Sequence, residues 1–104
     1  MMIQLPTLPE NQIKIACKAA TEWLRAHPGN DSFFFSEKIA MPLCQNQAEI
    51  QIDPSEAKQV QLLVMRNAAL QIKEICQLYP GVVAFCDALV AVYESRPIVP
   101  ARYI

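Results

Sequence analysis

Charge is scarce in this chain, and neither sign dominates. Asp, Glu, Lys and Arg make up 18% of the 104 residues, against roughly 25% in a typical soluble domain. Nine Lys and Arg face ten Asp and Glu, leaving a net charge of −1. The basic residues stand singly, so there is no electrostatic footprint for a phosphate backbone or a membrane surface. The balance is also too even for an acidic mimic of DNA. No uninterrupted apolar run approaches the ~20 residues a bilayer span needs, so no membrane partner is expected. The amino terminus, MMIQLPTLPE, lacks a basic segment followed by a long apolar one. The expectation is no signal peptide, a cytoplasmic location and reduced thiols. Internal repeats and low-complexity segments are missing as well.

Close cysteine pairs are missing too. Cys17, Cys44, Cys76 and Cys86 are separated by 27, 32 and 10 positions, with no CxxC spacing. With His27 they make the count of a zinc site, but their spacing gives no support for one. A Cys/His nucleophile pair has no local signature either. No metal and no cofactor are expected. Buried thiols are the plainer expectation, because free cysteine is among the most buried residue types.

Apolar residues, by contrast, are abundant, at 53% of the chain. A chain of this length reads as one domain, 1–104, able to bury somewhat over ~60% of its unfolded surface. The densest part is the run Leu78 to Tyr93, sixteen residues with one charge, Asp87. An ordinary surface helix keeps a polar face, so this run needs cover from its own domain or another chain.

Residues 1–6 read as a loose arm. Thr7-Leu8-Pro9-Glu10 reads as a helix start, with Thr7 as cap and Pro9 in the first turn. The first helix then carries Ile13, Ala16, Cys17, Ala20, Trp23 and Leu24 at spacings of three and four, to about Ala26. Pro28-Gly29 stops it, and His27 suits the carboxyl end of its dipole. In 32–52, Ile39, Met41 and Leu43 alternate with more polar or smaller residues, and so do Ala48, Ile50 and Ile52. Period two on both sides of Cys44-Gln45-Asn46-Gln47 predicts a β-hairpin, with Pro42 on an edge strand. The rival is a helix-turn-helix at 36–52, weakened by Gln45, Asp53 and Pro54. Asp53-Pro54-Ser55-Glu56 repeats the helix-start grammar and predicts a long helix over about 54–78. Tyr79-Pro80-Gly81 turns the chain, and a third helix spans about 81–94. Prolines make the tail 96–104 extended.

The expected fold is therefore mainly α. It has three helices, the long second one as spine, with a short hairpin between the first two. The second and third helices should pair antiparallel across their short link. The expected function is a non-enzymatic protein–protein interaction module, such as an adaptor, accessory subunit or small inhibitor, that acts as a homodimer. Leu63 and Leu70 carry most weight, because a heptad spacing on a polar helix face is what a seam against a second chain shows. Arg66 lies between them. Phe33, Phe34 and Phe35 form an aromatic cluster with too little basic company to stack bases. Tyr103 and Ile104 in the tail complete the expected partner-binding set. Two alternatives stand: a nucleic-acid binder using 36–52, and a small enzyme or ligand-binding domain using Asp87 or a cysteine. Against the last, Asp87 can simply mark the solvent edge or pair with Arg66 or Lys73.

Overall fold

Helix α1, Glu10–Ala26, follows the spacing of its apolar residues. Ile13, Ala16, Ala20 and Trp23 are buried on one side, with Cys17 and Leu24 half-buried beside them. Thr7 takes no capping role. Pro9 occupies the N-cap position, and its carbonyl accepts the Gln12 N–H at 2.8 Å. The computed structural model describes residues 2–95, so the expected extended tail at 96–104 lies outside the described residues.

The hairpin expected between the first two helices is replaced by a helix. Residues 33–44 form one helical stretch, α2, built from Phe33–Phe35, a wider π segment Ser36–Ala40 and a final α turn Met41–Cys44. The alternation misled because residues i, i+2 and i+4 contain an i, i+4 pair, which is also a helix face. Ile39 and Leu43 are that pair and are buried, whereas Met41 points to solvent. Pro42 sits inside the stretch. Its missing N–H and its ring disfavour a regular α turn just before it, where the wider segment lies. Asn46, at φ 63°, ends the helix in the left-handed region and donates its N–H to the Leu43 carbonyl at 3.0 Å. The helix-turn-helix fails with the hairpin, because no helix occupies 47–52.

The second alternating run is a strand, but its partner is elsewhere. Strand β1, Ile3–Gln4, pairs antiparallel with β2, Gln51–Ile52, in the register Ile3↔Ile52 and Gln4↔Gln51. The pairing continues as Leu5 N–H to Ile50 O at 3.0 Å and Leu8 N–H to Ala48 O at 3.1 Å. Leu5, Leu8, Ile50 and Ile52 are all buried. The expected loose arm at 1–6 is thus pinned at residues 3–5.

Helix α3 is Gln59–Ile75, shorter than the expected 54–78 and no longer than α1. Asp53-Pro54-Ser55-Glu56 instead closes a separate 3₁₀ turn, Pro54–Glu56, with the Asp53 carboxylate accepting from Ser55 N–H at 3.0 Å. The helix proper begins after Lys58, whose N–H donates to Gln61 Oε1 at 2.8 Å. Helix α4, Pro80–Ser95, matches the expected third helix and buries Val82, Phe85, Cys86, Leu89 and Val92. It packs antiparallel on α3, as the short link predicts. Lys73 faces Asp87, while Arg66, earlier in α3, faces Tyr93, later in α4. The described chain therefore holds four helices and one two-stranded antiparallel sheet. One core runs through all of them, with Leu62, Met65, Ala68 and Ala69 of α3 fully enclosed.

Candidate functional site

Helix α3 leaves one side uncovered. At ~100° per residue, Val60, Leu63, Asn67, Leu70 and Glu74 share a face, and Leu62, Met65 and Ala69 turn inward. Val60, Leu63 and Leu70 expose 42%, 36% and 38% of their surface. Beside this stripe lies an open cleft of about 460 Å³ between α3 and the loop that ends α1. One wall holds Val64, Asn67, Leu70 and Gln71, and the other holds Trp23 and His27.

The cleft is held by polar contacts around an aromatic stack. Trp23 and His27, four apart on α1, stack with ring centroids 4.0 Å apart and planes 12° off parallel. Trp23 also meets the edge of Phe35 at 5.8 Å. Its indole N–H donates to Gln71 Oε1 at 3.0 Å, tying α1 to α3. His27 Nδ1 lies 2.8 Å from the Trp23 carbonyl. A carbonyl can only accept, so Nδ1 is the donor in this contact. The Ser32 hydroxyl sits 2.9 Å from Gly29 O and 3.2 Å from His27 O, closing the loop beneath the stack. Gly29, at φ 141°, makes the turn that a side chain would strain. The sequence offered one sign of this cleft: two aromatic rings one helical turn apart, directly before Pro28-Gly29.

The expected partner-binding residues separate in space. Leu63 and Leu70 stand together on the open face. Arg66 lies on its flank, with the guanidinium 5.8 Å from the Tyr93 ring centre and a 3.3 Å bond to Asn67 Oδ1. The Phe33–Phe35 cluster splits. Phe33 is 61% exposed, whereas Phe34 and Phe35 belong to the core, Phe35 being only 1% exposed. In a helix three successive residues point three ways, so one of them had to face out. Phe33 borders Gln61, nearly opposite Leu63 on α3, and so does not join the stripe. Tyr103 and Ile104 lie outside the described residues.

The titratable candidates are accounted for by other contacts. The Asp87 carboxylate is in solvent and bonded to Lys73 Nζ at 2.6 Å, which is the ion pair weighed from sequence. Its exposure and its pairing with Lys73 leave an Asp87-based active site without support. Among the described residues, no group of three His, Cys, Asp or Glu could hold a metal ion. Cys76 and Cys86 are free and buried. Burial, helped by nearby Cys76 and Asp87, pushes the Cys86 thiol up to about 12, so it is a poor nucleophile. Cys17 and Cys44 correct the expectation of reduced thiols: they form a disulfide between α1 and the end of α2. No helix among the described residues is long and apolar enough to cross a membrane. Comparison with protein-family models, curated proteins and solved structures finds no match to this chain.

Proposed function

We propose that the chain is a non-enzymatic protein–protein interaction module that works by binding a partner protein through the open face of α3, and that it self-associates as a homodimer. The supporting observation is the solvent exposure of Leu63 and Leu70 on one helix face, beside the Trp23–His27 cleft. Fully burying a leucine side chain is worth ~1.5–3 kcal/mol; with about two-fifths of each side chain exposed, covering Val60, Leu63 and Leu70 contributes roughly 2–3 kcal/mol to association, to which the cleft adds. The cleft offers an aromatic wall to one protruding side chain of the partner, the kind of pocket in which interface anchors sit. An adaptor, an accessory subunit and a small inhibitor all fit this description.

The compartment belongs to the same proposal. In a cytoplasm the Cys17–Cys44 bridge would stand exposed to reducing thiols; in an oxidising compartment it would persist.

The test is solution mass across a concentration series, for the wild type and for Leu63→Glu with Leu70→Glu. The expected outcome is a dimer that the double variant converts to monomer with little loss of thermal stability. A wild type that stays monomeric at high concentration removes the homodimer. If partner capture by the monomeric variant also matches wild type, the α3 face is not the binding surface. A nucleic-acid reading is disfavoured by the net charge of −1 and by the extended backbone after Asn46. Salt-dependent retention on DNA or RNA would revive it.

A further inference from the structure

We propose that the Cys17–Cys44 disulfide is a thiol–disulfide exchange site for anionic low-molecular-mass thiols. The proposal is independent of the interaction reading and concerns the other side of α1.

Three observations carry it. The bridge is accessible: Cys44 is exposed, Cys17 half-buried, and an open groove of about 190 Å³ lies alongside them. The groove is cationic. Lys14 and Lys18, one turn before and one residue after Cys17, line it with Leu43 and Asn46, and no carboxylate is among its lining residues. Glu10 and Glu22 flank the lysines a turn away on α1 without lining the groove. Third, the Thr21 hydroxyl lies 3.6 Å from Cys44 Sγ. A bridged sulfur has no proton to give, so the hydroxyl is the donor. The other two cysteines are sequestered in the core, which leaves this bridge as the accessible cysteine chemistry of the described residues.

The arrangement suits a particular direction of exchange. An incoming thiolate, drawn by Lys14 and Lys18, attacks Cys17 Sγ and forms a mixed disulfide with it. The Cys17–Cys44 bond breaks, and its electron pair leaves on Cys44 Sγ as a thiolate. Thr21 already donates to that sulfur, and the lysines oppose its charge. A better stabilised leaving thiolate departs faster. A second thiolate then attacks the outer sulfur of the mixed disulfide. The two small thiols leave as their own disulfide, and Cys17 departs as a thiolate. The protein has gained two electrons, the thiols have lost two, and both cysteine thiolates take protons from water. Run backwards, the same steps let a low-mass disulfide reoxidise the pair.

The test uses the full oxidised chain and three probes: 2-mercaptoethanesulfonate (anionic), 2-mercaptoethanol (neutral) and cysteamine (cationic). Rates are compared at equal thiolate concentration by acid quench, alkylation and intact mass. At low ionic strength the anionic probe should react roughly tenfold faster than the cationic one, the scale on which a charged cleft raises encounter rates. Lys14→Gln with Lys18→Gln, or high salt, should bring the two within about twofold. Thr21→Val should slow all three probes alike. Peptide mapping should find the trapped adduct on Cys17. Cysteamine matching or outrunning the anionic probe, or a preference that survives in the double lysine variant, overturns the proposal. So does finding Cys17 and Cys44 as free thiols in protein purified in air. An adduct on Cys44 overturns the assigned direction and the role of Thr21.

Discussion

Replacing Gly81 by alanine isolates one contact on which the helix arrangement depends. Gly81 is the second residue of α4, and it packs against the start of α1. A methyl built there would lie 2.5 Å from Pro9 Cδ, 2.7 Å from Gln12 Oε1 and 3.0 Å from Pro9 Cγ. By helix propensity alone the change should stabilise, by ~1 kcal/mol in an exposed helix interior. Here two effects oppose that gain. Pro9 is a stiff ring at the N-cap of α1, so relieving the overlap means shifting backbone, and overpacking of this kind costs ~1–3 kcal/mol. Gln12 is more mobile, but it is already engaged. Its Oε1 accepts the Val82 N–H at 3.1 Å, capping α4 from another helix. Val82 is fully buried, so displacing Gln12 leaves its N–H without a partner, at ~1–3 kcal/mol.

The net expectation for Gly81→Ala is a loss of about 3 kcal/mol, combining the overpacking and hydrogen-bond terms against the propensity gain. That corresponds to a Tm lowered by roughly 12–24 °C for a chain of this size. Urea unfolding should show the midpoint falling with the slope unchanged. Gln12→Ala alone should also destabilise, through the orphaned Val82 N–H. The double variant should lose less than the sum, because removing the Gln12 side chain opens part of the space the methyl needs. A Gly81→Ala protein as stable as wild type, or more stable, would refute the reasoning and show that the two helix starts separate at little cost.

Two further tests follow from contacts already described. Phe35→Ala should cost ~3–5 kcal/mol in urea unfolding, as loss of a core aromatic, while Phe33→Ala should stay within ~0.5 kcal/mol. Equal effects would contradict the split of the aromatic cluster. The Asp53 carboxyl is held below its ordinary value of 3.8, first by the Ser55 hydroxyl and then by the Ser55 N–H. A depressed folded value means that its contribution is complete above 3.8 and is lost as pH falls through the folded value. An NMR titration should give Asp53 a midpoint below 3.8, and Ser55→Ala should raise it; an unmoved midpoint counts against the turn.

What the sequence made legible was local. Helices α1 and α4 follow from apolar spacing and from the prolines that bound them. The link Tyr79-Pro80-Gly81 implied an antiparallel pair, and Lys73 with Asp87 and Arg66 with Tyr93 bear that register out. Most of the misses involve choices that distant residues make. The alternation of Ala48, Ile50 and Ile52 marked a strand correctly, but its partner at residues 3–4 lies almost half the chain away. Residues 39–43 held an ambiguous pattern, and burial of Phe35, Ile39 and Leu43 against the core resolved it as a helix. Asp53-Pro54-Ser55-Glu56 has the grammar of a helix start, yet that grammar is also satisfied by a single 3₁₀ turn. Cys17 and Cys44 are 27 positions apart, a separation that says nothing until α1 and α2 are packed.

The apolar run from Leu78 to Tyr93 raised the question of what covers it, and the packing of α4 moves that question to α3. Val82, Phe85, Cys86, Leu89 and Val92 are inside, with Val83, Ala88 and Val90 half-buried beside them. What α4 shows to water along its middle turns is Ala84, Asp87 and Ala91, with Pro80 exposed at one end and Glu94 and Ser95 at the other. Alanine exposes little apolar area, so a helix with only two charges, Asp87 and Glu94, can face solvent at small cost when its outer positions are this short. On the α3–α4 pair the exposed large side chains are Val60, Leu63 and Leu70, with Ile75, Leu78 and Tyr79 at the far end; Met2, Phe33 and Met41 are exposed elsewhere. Scattered apolar residues on a surface need no explanation, but Val60, Leu63 and Leu70 line up along one helix face beside a cleft, with Asn67 between the two leucines. A partner that reads this protein has more to gain from α3, which looked the more polar helix in sequence, than from α4, which looked like the one in need of cover.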